Sequence, residues 1–210
     1  MVNIFIEAKD KKTPECEFLK AILNKIGVSS DKYDIITTNG YTNLMDSIDA
    51  SNINALRANT DAGGKNLVVF DADYEKNNGG FDKRREELLA RRNELGLSFD
   101  LFLWPNNHND GDVEVLMESI ARKDLYPEVF DCFEKYEICI SHRKNEQGEP
   151  YYVIPNRKNK LHTYFTSLPL SHSKKRKTGQ GAWLWDEADI WDLDAESLDP
   201  IKKFLSNYLH

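Results

Sequence analysis

Three acids in this sequence stand immediately after apolar runs. Glu7 follows Ile4-Phe5-Ile6, Asp71 follows Val68-Val69-Phe70, and Asp73 lies two residues further on. If the two runs are neighbouring parallel strands, all three carboxylates meet at one sheet edge. Carboxylates brought together raise each other's pKa, and a divalent cation relieves the repulsion. Oxygen donors without Cys or His suit magnesium, manganese or calcium. The Asp-x-Asp spacing lets two carboxylates flank one ion at the end of a strand. Taken singly, each acid reads equally well as a cap or a solvated side chain, so the metal reading depends on the three together. A second acidic group, Asp110-Gly111-Asp112-Val113-Glu114, puts Asp112 and Glu114 at a helix start. There the helix dipole alone already favours acids. A calcium loop running from Asn106 fails, because the Glu it requires falls on Met117.

The elements that must position these acids are legible as a pattern. Val2–Ile6 is a compact apolar run, as in a buried parallel strand. Thr13 and Pro14 predict a helix start, Phe18, Leu19, Ile22, Leu23 and Ile26 recur at helical spacing, and Gly27 closes the helix. Tyr33–Thr38 predicts a second strand. A weaker helical stretch carries Leu44, Ile48, Ile53 and Leu56. Gly63-Gly64-Lys65 turns into a third strand over Leu67–Phe70. A loop at Asn77–Gly80 precedes a charged helix over Phe81–Leu95. A fourth strand, Phe99–Trp104, ends at Pro105, which has no N–H for a ladder. The loop 106–112 then leads into a helix with Val115, Leu116 and Ile120. Strands alternating with helices imply βαβ units and a parallel sheet, with ligands at the carboxyl ends of the strands.

Residues 123–210 are less regular. A helix is expected over Tyr126–Tyr136, a loop-rich stretch over Ser141–Gln180, and an amphipathic helix at about 197–208 using Leu198, Ile201, Phe204, Leu205 and Leu209. The 141–180 stretch holds nine Lys and Arg against two Glu. Trp183, Trp185 and Trp191 are expected to pack the C-terminal segment back on the domain. The expected fold is therefore α/β: a Rossmann-like, mostly parallel central sheet flanked by helices over 1–122, with a loop-rich C-terminal extension over 123–210.

Glu7 after a first strand, followed by Asp71-Ala72-Asp73 after a later one, resembles the signature of Toprim domains. These occur in topoisomerases, bacterial primases, OLD-type nucleases and small stand-alone proteins. The likeness covers roughly residues 1–120. Pro105-Asn106-Asn107 through Glu114 is similar to the acidic loop of the OLD-type nucleases and the small stand-alone group, and Trp191-Asp192-Leu193-Asp194 onward resembles that small group. The resemblance implies that Glu7 is the general acid/base or a metal ligand. It also implies that Asp71 and Asp73 ligate Mg2+ (or Mn2+), and that Asp112 and Glu114 hold a second ion. Ala8 stands where many Toprim strands continue with Gly. The chain is too short for the further domains of a topoisomerase or primase, which leaves nuclease chemistry as the family activity needing least extra protein.

Composition sets the outer bounds. Over 210 residues, 28 Lys and Arg against 35 Asp and Glu leave a formal charge of −7, which does not suggest a general nucleic-acid coating protein but leaves room for a local basic stripe. The strongest basic run is Lys174-Lys175-Arg176-Lys177, an expected nucleic-acid contact or a solvated loop; Lys65 is a further candidate near a phosphate. Tyr151, Tyr152, Tyr164 and Phe165 beside it could stack on bases or fill a core. Gly63-Gly64-Lys65 lacks the P-loop spacing. His108 lies beside the acidic loop, and His142, His162 and His172 have no metal spacing. The three cysteines form no CxxC pair, as in a reducing cytoplasm, and no signal peptide or membrane span is expected. The expected partner is DNA or RNA, with a homodimer allowed. The leading function is metal-dependent phosphodiester cleavage. The alternative is a binding module for nucleic acid, nucleotide or protein on the same scaffold. An aspartate-nucleophile phosphatase is disfavoured, because Glu75 stands where a Thr is usual.

Overall fold

Val2–Ile6 (β1), Tyr33–Thr37 (β2), Lys65–Asp71 (β3) and Asp100–Trp104 (β4) form one parallel sheet in the order β2-β1-β3-β4. The computed structural model describes residues 1–45 and 50–209. Ile6 pairs with Thr37 on one side and Val69 on the other, and Asp71 pairs with Trp104. The carboxyl ends of β1, β3 and β4 therefore lie along one edge. The chain leaves β1 towards β2, then crosses back to β3 and on to β4, so its direction reverses between β1 and β3. Crevices of this kind, outside the strand ends, are where open α/β sheets bind ligands.

Buried strands have two apolar faces, and each is covered by helices. Phe5, Val68, Phe70 and Leu103 form a core with Leu44 of α2 (Tyr41–Met45), Leu56 of α3 (Ser51–Asp61) and Leu88 of α4 (Phe81–Glu94). The side chains alternating with these, Ile4, Ile6, Val69, Phe102 and Trp104, point to the other face and are buried. There α1 (Pro14–Lys25) buries Phe18, Leu19, Ile22 and Leu23, with the Phe18 ring 6.2 Å from Trp104. The last helix, α9 (Asp199–Leu209), sets Phe204 5.3 Å from Phe102. Each such large side chain contributes about 1.5–3 kcal/mol by leaving water. Thr13 takes the N-cap backbone conformation of α1 but makes no cap hydrogen bond; Pro14, pre-set for the first turn, starts the helix. The helical stretch expected through Ile48 is described as α2 and α3, and Ile48 lies outside the described residues.

The chain divides into two compact units: Met1–Leu116 with the tail from Leu193, and Met117–Asp192. The final helix expected near 197–208 thus belongs with the sheet, not with the segment before it. Between them in sequence, α5 (Val113–Ser119) follows the acidic loop. In the second unit, α6 runs over Pro127–Ser141. The 141–180 stretch is not loop-rich as expected: it contains α7 (Arg157–Ser167) and α8 (His172–Gly179). Both start on a side-chain cap, Asn156 accepting from the Asn159 N–H and Ser171 from the Lys174 N–H. The abundance of Lys and Arg hides the short apolar stripe Leu161, Tyr164 and Phe165 that α7 buries. The three tryptophans pack within this unit. Trp183 lies 5.0 Å from Phe165, Trp191 5.5 Å from Tyr164, and the indole N–H of Trp191 donates to the Trp183 carbonyl at 2.7 Å. Among the described residues no helix is long and apolar enough to cross a membrane.

The Tyr164 hydroxyl donates to the Ile190 carbonyl at 2.9 Å and accepts from the Arg122 N–H at 3.1 Å. Burial pushes its pKa up to about 12. An unfolded tyrosine ionises near 10, so its stabilising contribution is complete below pH ~10 and is lost as pH rises towards ~12. Tyr164→Phe should therefore flatten the alkaline limb of a pH-denaturation curve between pH ~10 and ~12. An unchanged limb would show that another group sets it.

Candidate carboxylate centre

Each predicted acid is held by its own local structure. Glu7 leaves the end of β1 at the switch point and accepts the Tyr41 N–H, the first of α2, on Oε1 at 3.1 Å. Its Oε2 is buried with no hydrogen-bond partner. Burial raises the Glu7 pKa; the Tyr41 N–H opposes this, the Asp73 charge adds to it and the Arg84 charge counters it. Asp71 ends β3 and accepts the Val113 N–H at the start of α5 on Oδ1 at 2.8 Å. Part of its surface remains open, yet protein crowds the carboxylate, and burial lifts its pKa well above the usual carboxylate range. The charges of Glu114, Glu7 and Asp112 push the same way, against the Val113 hydrogen bond. Asp112 also caps α5, accepting the Val115 N–H at 3.0 Å. Glu7, Asp112 and Glu114 thus each lie within electrostatic reach of Asp71.

Asp73 is treated differently. Its backbone sits in the left-handed region (φ 61°), which Asp tolerates better than most residues, and it is pinned there by reciprocal hydrogen bonds with Gly111 of 2.7 and 2.8 Å. Gly79 packs so closely that an added Cβ would collide with the Cβ of Asp73. The Asp73 carboxylate receives Arg84 of α4, Nη2 to Oδ2 at 2.7 Å. The Arg84 side chain is only 5% exposed. Its other terminal nitrogen reaches Glu87 at 3.2 Å, and its guanidinium lies 3.7 Å from the centre of the Tyr41 ring. Burial works against the charge on Arg84, but Asp73 and Glu87 outweigh it and its pKa is raised. Asp110 accepts the Phe81 N–H at 2.7 Å, tying the start of α4 to the acidic loop.

The fold therefore brings Glu7, Asp71, Asp73, Asp112 and Glu114 to one edge. Among the described residues, however, no group of three His, Cys, Asp or Glu side chains is arranged as a ready metal cage. The donors are all carboxylates, Glu7 has an unsatisfied buried oxygen, and the negative charges outnumber the one guanidinium among them. That donor chemistry fits a hard divalent cation. Lys65 opens β3 while Asp71 closes it, so the two lie about 20 Å apart and Lys65 is not beside the acids. His108 is exposed and lies 6.2 Å from the Phe81 ring.

In the second unit, the basic run lies on α8. Lys174 bonds Glu187 at 2.7 Å and reaches Asp189 at 3.7 Å, whereas Lys175, Arg176 and Lys177 are exposed. Tyr164 and Phe165 are core residues, while Tyr151 and Tyr152 are exposed, with Arg143 4.0 Å over the Tyr151 ring.

Sequence reasoning missed Arg84, Glu87 and Tyr41. The available signal was periodicity: Phe81, Arg84 and Leu88 share a helix stripe, which puts a charged residue on the inward face.

A family model described as a protein of unknown function (DUF3226) matches residues 4–210. No curated protein and no solved structure matches the chain.

Proposed function

We propose that this chain, which belongs to the DUF3226 family, holds Mg2+ or Mn2+ in the crevice between β1 and β3 and hydrolyses phosphodiester bonds of nucleic acid in the manner of a Toprim nuclease. The observation that carries the reading is the meeting of Glu7, with its unpartnered buried Oε2, and the charge-crowded Asp71 where the sheet changes direction. Asp71, with Asp112 and Glu114, would hold the ion. When bound, such an ion supplies charge stabilisation at a phosphoryl oxygen. Glu7 borders the crevice with a carboxylate whose pKa burial raises, which makes it a stronger base than an exposed glutamate. It takes the proton of an attacking water on Oε2 and returns it to the leaving oxygen, while Oε1 stays fixed by the Tyr41 N–H. The β3–α4 loop and the acidic loop, joined through Asp73 and Gly111, keep the strand ends in register.

Incubating the full chain with Mg2+ or Mn2+ and single-stranded DNA, supercoiled DNA or RNA tests the reading. Cleavage that requires the ion and stops with chelator is the expected result. No cleavage of any of the three with either ion sinks the enzyme. Ion-dependent retention of nucleic acid without turnover is instead the outcome of a binding module, a reading that the engagement of Asp73 by Arg84 favours.

Lys175, Arg176 and Lys177 supply phosphate contacts in this reading, and Lys174 does not, being occupied by Glu187. Replacing the three exposed residues by Gln should reduce the slope of log affinity against log salt by about 2 to 3. Lys174→Gln should leave the slope within experimental error, and an equal effect of the two changes would refute this assignment.

A further inference from the structure

We propose that this chain pairs with a second copy of itself, each copy laying Val153 and Ile154 into the other's groove between α6 and α7. The inference stands apart from the metal reading, and its failure would leave that reading untouched.

Apolar side chains left in water cost free energy, and lone soluble chains seldom leave many together. Among the described residues, every exposed large hydrophobic side chain other than Met1 falls within 125–154. Two features of the second unit meet there. The first is a groove of about 680 Å3. Val129, Phe133 and Tyr136 line it from α6, Asn159 and Thr163 line it from α7, and Pro155 borders it. The three α6 residues recur at helical spacing as one apolar stripe, which stays open at Tyr136, 50% exposed. The second feature is the segment 151–154, in neither helix nor strand, with Val153 92% exposed. Its start is pinned. The Tyr151 N–H donates to the Arg143 carbonyl at 2.8 Å, and the Arg143 guanidinium lies 4.0 Å from the Tyr151 ring centre. The same guanidinium donates to the Tyr152 hydroxyl at 3.1 Å. A segment fixed before contact loses little freedom on binding.

The groove needs an apolar filler and the segment needs an apolar cover, and one unit carries both. They adjoin where Ile154 runs into Pro155 at the groove's border. A two-fold axis beside Pro155 exchanges them reciprocally, which gives a closed, isologous contact. The charges agree. The α6 wall carries Glu128, Asp131, Glu134 and Glu137 against Lys135. Arg143 and Lys144 precede the segment, on a hairpin that also carries Glu146 and Glu149, and Arg157 and Lys158 follow it. Arg157 is shared with Glu118 at 3.1 Å. Exchange thus sets the basic flanks of each segment beside the acidic helix of the other copy, and such complementarity selects partner and register. The acidic helix also disfavours an anionic lipid surface. Tyrosine and arginine around aliphatic side chains are the composition of a protein contact. Tyr136, Tyr151 and Tyr152, each about half exposed, offer roughly 300 Å2. Ile138, Val153, Ile154 and the charged rim extend this toward the about 800 Å2 per copy that a stable dimer buries.

Sedimentation velocity of the full chain, 24.3 kDa, over a concentration series is the test. A species of twice that mass, growing with concentration, is the expected result. Val153→Asp should weaken the dimer at least about tenfold. Val153 is almost wholly exposed in the single chain, so this change does not threaten the fold. Tyr136→Glu should weaken the dimer similarly from the groove side. The exposed Cys132 lines the same groove. Its alkylation by a maleimide should slow as the wild-type concentration rises, and should keep a constant rate in Val153→Asp. A wild type that stays monomeric up to about 100 μM overturns the proposal. So does a dimer whose Kd Val153→Asp changes by less than about threefold, or one in which Cys132 reacts at the monomer's rate. A monomer that floats with vesicles of phosphatidylcholine and phosphatidylglycerol assigns the face to lipid and overturns it as well.

Discussion

Asp71→Asn is expected to abolish ion-dependent cleavage and, in the absence of ion, to make the chain more stable. Both effects have one cause. Asp71 is crowded by protein and faces the charges of Glu114, Glu7 and Asp112, which together push its pKa well up. Asn keeps the size of the side chain and an oxygen for the Val113 N–H, but removes one of the repelling charges. In the presence of Mg2+ the same change removes a ligand, and activity should fall at least ~100-fold, the scale of losing a principal electrostatic stabiliser. The pH dependence has a definite sign. A carboxyl whose folded pKa is raised contributes stability that is complete below the ordinary carboxylate range and is lost as pH rises through the folded value. Wild-type chain in chelator should therefore lose stability on going from acid towards neutral pH, and Asp71→Asn should lose less. Mg2+ should raise the Tm of the wild type and not of the variant. Thermal unfolding over a pH series, with chelator and with Mg2+, reads all of this. A variant that is less stable in chelator and still cleaves would remove Asp71 from the centre altogether.

How much of this centre the sequence discloses depends on the kind of constraint. The strands were readable because they are uninterrupted apolar runs: Val2–Ile6 stands as expected, and the fourth strand stops at Trp104, before Pro105. Glu7 and Asp71 were readable because a carboxylate directly after a buried strand has only the sheet edge to occupy. Asp112 was readable as a helix-start acid, and it does cap α5. Arg84 was not readable in the same way. It lies in Lys83-Arg84-Arg85, and composition cannot tell an inward cation from two outward ones; only its phase with Phe81 and Leu88 separates them. Asp73 shows the same limit from the other side. Its place after the strand suggested an ion ligand, but its partner comes from a helix eleven residues on, and its backbone conformation from a loop across the edge. Long-range pairings of this sort leave no local periodicity. The second unit was hidden by composition: α7 and α8 are so polar that their caps, Asn156 and Ser171, were better signals than their faces.

Arg84→Met should lower stability by about 3 kcal/mol, the low end for breaking a buried ion pair, because Asp73 is 35% exposed while Arg84 is not. For a chain of this size the Tm should fall by roughly 6–12 °C. The magnitude separates two kinds of ion pair on the same helix. Lys83 reaches Glu87 at 4.0 Å with its side chain 46% exposed, and such a pair is worth less than about 1 kcal/mol. Lys83→Met should be close to neutral. The difference arises from what remains: removing Lys83 leaves Glu87 still paired with Arg84, whereas removing Arg84 leaves Asp73 with a pinned backbone and Glu7 without its opposing charge. If the loss comes from stranded carboxylates, it should be recovered by removing one. Arg84→Met combined with Asp73→Asn should regain more than half of the lost stability, a coupling expected only for groups in contact. Mn2+ at saturating concentration should also regain it in Arg84→Met by replacing the missing cation. Losses that simply add in the double variant, with no response to Mn2+, would mean that Arg84 stabilises the fold through packing against Tyr41 and not through its charge.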